Sequence, residues 1–176
     1  MIPVVSFVGR SESGKTTLLE KVIGELKSRG YRVGVIKHTP HGFDIDHEGK
    51  DTWRFAQAGA DVVAAASANQ IAFIERVPQE PDLDQMRALF EGKADIVLTE
   101  GFKTSNTAKI LVLRQKQDRE QMSYSGETLA TVSPHLSPDG IPVFSPEEIS
   151  DIVNLMVRQL WGQGQLTELL LPATLN

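Results

Sequence analysis

The chain has no cysteine among its 176 residues, which excludes disulfides, thiolate metal sites and a cysteine nucleophile. It also lacks a basic excess. Eighteen Lys and Arg stand against 23 Asp and Glu, a formal net charge of −5 that argues against general nucleic-acid binding while leaving room for a local basic patch. No stretch approaches the roughly 18 consecutive apolar residues of a membrane span. The opening Met1–Gly9 has no basic n-region, and its apolar run is too short for a signal peptide, so a cytoplasmic location is expected. Internal repeats, low-complexity tracts and linkers are missing too, and residues 1–176 are expected to form one nucleotide-binding domain.

What is present is a succession of short apolar runs and amphipathic segments. Val4–Val8 is a β-branched run that stops at Gly9 and reads as a buried strand. Leu18, Leu19, Val22, Ile23 and Leu26 recur at helical spacing within Lys15–Arg29, and Gly30 follows as a stop. Arg32–Ile36 is the next strand, which completes a βαβ unit and implies parallel pairing. A short helix over Asp51–Ala58 precedes Val62–Ala66 and Gln70–Glu75, two strands joined by a tight turn. A helix from Asp82 and strands at Ile96–Thr99, Lys109–Leu113, Leu129–Val132 and Ile141–Phe144 follow. Gln115–Gly126 reads as an exposed, mobile loop. Ser145-Pro146-Glu147-Glu148 reads as a capping box with Pro in the first helical position, opening a helix whose stripe is Ile149, Ile152, Val153, Met156 and Leu160. Leu166 and Leu169–Leu171 make an apolar tail suited to the body or to a second subunit. The fold class is α/β, a mostly parallel sheet flanked by helices with a small antiparallel extension.

Gly9-Arg10-Ser11-Glu12-Ser13-Gly14-Lys15-Thr16-Thr17 fits G-x-x-x-x-G-K-(S/T), the Walker A pattern. Two Gly, a Lys and a Ser/Thr at fixed spacing arise by chance in about one percent of chains this long, given ordinary Gly usage. Here they also stand between a strand and a helix, as the chemistry requires. Gly9 and Gly14 permit torsions and approaches that a Cβ would block. The loop N–H groups and the positive helix end then face phosphate oxygens. Lys15 reaches the β- and γ-phosphates, the Thr16 hydroxyl suits Mg²⁺, and Thr17 suits an α-phosphate oxygen.

P-loop chemistry needs a carboxylate near the metal, and Glu100 at the end of Asp95–Thr99 is placed for it, with Gly101 leaving room beside the γ-phosphate. Lys37–His47 follows the second strand and should open at the ligand-binding edge of the sheet. Asp44 or Asp46 would hold Mg²⁺ through water, and Thr39 would sense the γ-phosphate. His and Asp here also suit a divalent metal, and a plain solvated loop is the competing reading. His135 carries no functional reading.

Taken in order, the Gly9–Thr17 motif, Lys37-His38-Thr39, Asp44-x-Asp46 with Gly49-Lys50-Asp51, and Glu100-Gly101-Phe102-Lys103 resemble the molybdopterin-guanine dinucleotide biosynthesis protein B (MobB) family. The likeness runs over motifs from residue 4 to about 113 and more loosely to the last helix. It implies a dimeric P-loop GTP-binding protein that assists the guanylyltransferase joining GMP to molybdopterin, with weak GTP hydrolysis at most and molybdopterin as a further candidate ligand. Carried over, Ser11, Glu12, Ser13, Gly14, Lys15, Thr16 and Thr17 with Gly9 hold GTP and Mg²⁺, Asp46 and Glu100 are metal-side acids, and Lys37, His38 and Lys103 line the site or its rim. The chain departs from common GTPases in lacking Asn-Lys-x-Asp, so guanine preference rests on the resemblance. Thr131-Val132-Ser133-Pro134 is a late strand end open to a base, though Pro134 has no N–H to offer. No residue is singled out as hydrolytic. The alternatives are a small-molecule kinase, with Arg114 and Arg119 as lid cations, and a metallochaperone-type GTPase using His38, His41 and His47.

Overall fold

A computed structural model of the chain describes residues 1–135 and 140–162. The elements run β1 (Val4–Val8), α1 (Lys15–Ser28), β2 (Val33–Lys37), α2 (Asp51–Gln57), β3 (Val62–Ala66), β4 (Ile71–Glu75), α3 (Leu83–Ala88), β5 (Ile96–Glu100), β6 (Ala108–Val112), β7 (Thr128–Val132), β8 (Val143–Phe144) and α4 (Ile149–Trp161). Two compact units contain them: residues 1–38 with 83 onward, and residues 39–82.

The first unit is built on a six-stranded sheet of order β2-β5-β1-β6-β7-β8, and every pairing in it is parallel. Strands buried on both faces read as continuous apolar runs, which explains why Val4–Val8 and Ile96–Thr99 show no polar alternation. Successive residues of β1 still face opposite sides. Val5 and Phe7 pack with Leu18, Leu19, Val22 and Leu26 of α1 and with Ile152, Val153 and Met156 of α4. Val4 turns to the other face, to Ile36, Leu83 and Val97.

The α1 helix stops as its sequence demands. Gly30 has φ +88°, the Tyr31 N–H reaches back to Leu26 O at 3.1 Å and the Gly30 N–H to Lys27 O at 3.1 Å, so the last carbonyls are satisfied. Arg29 then joins α1 to α4, donating to Glu25 at 2.6 Å and to Asn154 at 2.8 Å. The second unit holds α2 and the antiparallel pair β3 and β4, with Ala64 opposite Phe73.

Two local expectations are corrected. Pro146 does not open α4: the Ser145 N–H donates to Glu148 Oε2 at 2.6 Å, but that box closes a turn, and the helix begins at Ile149. The Glu148 N–H donates to the Ser145 carbonyl at 3.2 Å, closing the turn, so Ser145 Oγ accepts from the Glu147 N–H at 3.4 Å and not from Glu148. Nor is Gln115–Gly126 wholly solvated. It contains a 3-10 turn at Lys116–Asp118, and Met122 and Tyr124 are half-buried against Val8, Leu111 and Leu113. The apolar tail from Leu166 lies outside the described residues.

Candidate functional site

Strand β1 lies between β5 and β6, and the chain leaves it at Val8 into the loop Gly9–Gly14. This carboxyl edge, where connections diverge to either side, is where open parallel sheets bind ligands. The loop is tight. A Cβ on Gly9 would collide with the Val112 carbonyl and lie 2.5 Å from Ser13 Oγ, so only glycine fits there. Glu12 and Gly14 take φ of +60° and +90°, and Gly14 caps α1 with no side chain in the way. That concavity leaves the N-terminal N–H groups of a 14-residue helix free for an anion.

Lys15 folds over the loop, its ammonium donating to Arg10 O at 2.6 Å. Burial lowers its pKa below the ordinary lysine value. Glu100 opposes that shift, while Lys103 and Lys37 reinforce it. These charges therefore gather at one place, three lysines around one carboxylate. The Thr16 hydroxyl donates to Glu100 Oε2 at 3.1 Å, and Lys37 Nζ lies 4.0 Å from the same oxygen. Glu100 owes its place to strand register: it pairs with Phe7 on one side and Lys37 on the other. Gly101 follows at φ +111°, with no room for a Cβ beside His38, whose ring packs on Phe102 at 4.6 Å.

The remaining expected residues divide. Ser13 is buried in the loop, and Ser11 and Glu12 are exposed. Thr17 lines a cavity of about 380 Å³ together with Leu18, Lys21, Arg114, Pro134 and Glu147. Sequence reasoning named neither Lys21 nor Glu147 as site residues. They come from separate segments, whereas Thr17, Arg114 and the late strand end at Pro134 were each singled out in the sequence. In the second unit Thr39 Oγ1 donates to Gly42 O at 3.2 Å, and Asp44 is exposed. Asp46 Oδ1 accepts from the His47 N–H at 2.9 Å, whereas its Oδ2 is buried without a partner in a pocket walled by Ile45, Val63, Ala65 and Ile74. Among the described residues no three His, Asp or Glu side chains gather as a metal-binding group.

Lys109 is a residue that sequence reasoning passed over. It stands wholly buried on β6 beside the Gly101–Thr107 segment, and burial lowers its pKa to about 8. The unfolded chain holds that proton up to about pH 10.4. Between those values the unfolded state binds more protons, so stability rises with pH. The contribution is missing below about pH 8 and is recovered as the pH approaches the unfolded value. Denaturant unfolding at pH 7.5 and 9.5 should show a gain of on the order of 1–2 kcal/mol that Lys109→Met lacks. An equal gain in the variant would refute the assignment.

The parallel sheet, the glycine-hemmed loop at its carboxyl edge, and a lysine, threonine and glutamate converging there define a P-loop NTPase-like protein whose fold fits nucleotide binding. Residues 4–134 match the family of molybdopterin guanine dinucleotide synthesis protein B. The molybdopterin-guanine dinucleotide biosynthesis adapter protein of Haemophilus influenzae is 44% identical over 119 residues, covering 67% of each chain. The probable adapter protein of Bacillus subtilis is 32% identical over 169 residues, 92% of this chain and 95% of that one. The crystal structure of Bacillus subtilis MobB superposes with a TM-score of 0.79 at 31% identity, over 92% of this chain and all of the other. The chain belongs to the MobB family, and with it to the synthesis of the guanine dinucleotide form of the molybdenum cofactor. No helix among the described residues is long and apolar enough to cross a membrane.

Proposed function

We propose that this chain is a GTP-binding adapter that serves the guanylyltransferase joining GMP to molybdopterin, in the cytoplasm, with slow GTP hydrolysis at most. The observation that carries the nucleotide part is the 3.1 Å hydrogen bond between Thr16 and Glu100, which unites the phosphate loop with the acid of a strand 84 residues away. A hydroxyl and a carboxylate are hard oxygen donors of the kind Mg²⁺ takes alongside phosphate oxygens and water. Gly9 lets the loop close against the Val112 carbonyl, where a Cβ would collide, and the N–H groups at the start of α1 carry no side-chain cap. Thr16 and Glu100 would hold Mg²⁺, which would supply charge neutralisation at the phosphates. Lys15 with the loop N–H groups would bind the phosphates, and Lys37 and Lys103 would add positive charge at the rim. Lys37 with His38 forms part of the face offered to partners.

The cavity beside Thr17 supports a base site continuous with the loop. Among the described residues, Glu147 is the one carboxylate lining it. A carboxylate accepts the N1–H and N2–H of guanine, whereas adenine presents an acceptor at N1. In the second unit, exposed Val62, Ile71 and Phe73 on an isolated two-stranded pair, a marginal arrangement alone, support a homodimer in which a second copy covers that face. Calorimetric titration with GTP and ATP, with and without Mg²⁺, tests the reading. GTP should bind more tightly than ATP by about tenfold or more, and Glu147→Gln should narrow the gap. ATP binding as tightly as GTP would remove the guanine assignment. Sedimentation of the same samples should report a dimer, and a monomer would remove that part.

A further inference from the structure

Lys109 occupies the second position of β6 and has no solvent exposure, yet none of the contacts proposed for the nucleotide uses it. Its three N–H donors are shared among four acceptors: the Phe102 carbonyl at 3.2 Å, the Ser105 carbonyl at 2.8 Å, the Ser105 hydroxyl at 3.0 Å and the Thr107 hydroxyl at 2.5 Å. All four acceptors are neutral, and all belong to residues 102–107, the irregular segment that follows Glu100-Gly101. Burying an ammonium without a carboxylate is unfavourable, and what it achieves here is to gather a loop that no ladder holds.

The surroundings make that loop part of the phosphate site. The Thr107 hydroxyl also meets Ser6 Oγ at 2.8 Å, on the strand that runs into Gly9. Phe102 sits at φ +49°, and its carbonyl receives the Ser105 N–H at 3.2 Å and the Ser105 hydroxyl at 2.7 Å. From the other side the Ser125 N–H donates to the Lys103 carbonyl at 2.9 Å, and Gly126 lies so close to the Thr107 backbone that a Cβ has no room. In a trans peptide the N–H points opposite to the preceding carbonyl. Drawing the Phe102 carbonyl onto Lys109 therefore turns the Lys103 N–H away from the core. The Gly101 N–H donates to Phe7 O at 3.4 Å, two residues before Gly9, which sets this turn beside the phosphate loop, where the Lys103 charge reaches Lys15.

We propose that Lys109 is a positioning residue whose buried ammonium holds residues 102–107 so that Gly101 and Lys103 meet the terminal phosphate, letting the site distinguish a nucleoside triphosphate from a diphosphate. The proposal rests on the nucleotide reading above. Lys109→Met keeps the length and removes the charge. Calorimetry with Mg²⁺ should show GTP binding weakened about tenfold in this variant and GDP binding within about twofold of wild type. A residue that only supported the fold would move both affinities together, so equal weakening of both, or of neither, overturns the proposal. Should Lys109→Met fail to fold, Ser105→Ala removes one hydroxyl acceptor. It is expected to weaken GTP about threefold and spare GDP, and an unchanged GTP to GDP ratio overturns the proposal. Wild-type protein that binds neither nucleotide overturns the nucleotide reading and this proposal with it. Wild-type binding with an unaltered ratio in the variants overturns this proposal alone.

Discussion

Lys15→Ala is expected to lower GTP affinity by about 100-fold or more, equivalent to about 3 kcal/mol. The ammonium is half-buried, its solvation already reduced, so a phosphate arriving beside it meets a cation poorly served by water. Lys37 and Lys103 lie near enough to shift its pKa, and they repel it in the free protein. A bound polyphosphate relieves that repulsion, which adds to what Lys15 contributes. Among the described residues Lys15 donates to Arg10 O and, at 3.5 Å, to Ser13 Oγ, neither of them a contact the core depends on, so the alanine variant should fold and melt close to wild type. Titration calorimetry checks it. Affinity within about threefold of wild type in a folded variant would sink the assignment of Gly9–Thr17 as the phosphate loop.

Gly9→Ala should damage both stability and binding. The problem is space: the added methyl meets the Val112 carbonyl, a backbone atom of β6 that cannot swing aside, as well as Ser13 Oγ at 2.5 Å. Overpacking of this kind costs about 1–3 kcal/mol, which for a chain of this size lowers Tm by about 3–10 °C. The loop must also shift to relieve the collision, which moves its N–H groups off the phosphate oxygens. Gly14→Ala provides the contrast. At φ +90° with no atom within 4 Å of the new Cβ, it carries torsional strain alone, of about 1 kcal/mol. Differential scanning calorimetry on the two variants should rank Gly9→Ala below Gly14→Ala. The reverse order would contradict the packing described for the loop.

Much of the site was legible because its parts carry local chemistry. A glycine-bounded loop between a strand and a helix has few other uses, and an acid closing an apolar strand stands at the edge where ligands bind. The capping box at Ser145 was visible too, but its hydrogen bonds close a turn and α4 starts at Ile149, since the pattern says which groups bond and not whether the helix has begun. Lys109 left a faint trace, a lysine inside the apolar strand Ala108–Val112. A lysine there is ordinarily one that reaches solvent, and its burial depends on segments folded over it.

The amino-acid sequence by itself determined the glycine-bounded loop between β1 and α1, the α/β class, the hairpin of β3 and β4 and an acid at the end of β5, because each follows from residue types and spacings within a few positions. Only the tertiary structure decided that β1 pairs with β5 and β6. That pairing sets Glu100 against Thr16, draws Thr17, Arg114, Pro134 and Glu147 around one cavity, and closes residues 102–107 over Lys109. The physical reason is that apolar periodicity tells a strand which of its faces to bury, while its neighbours in the sheet are selected by the packing of the whole core.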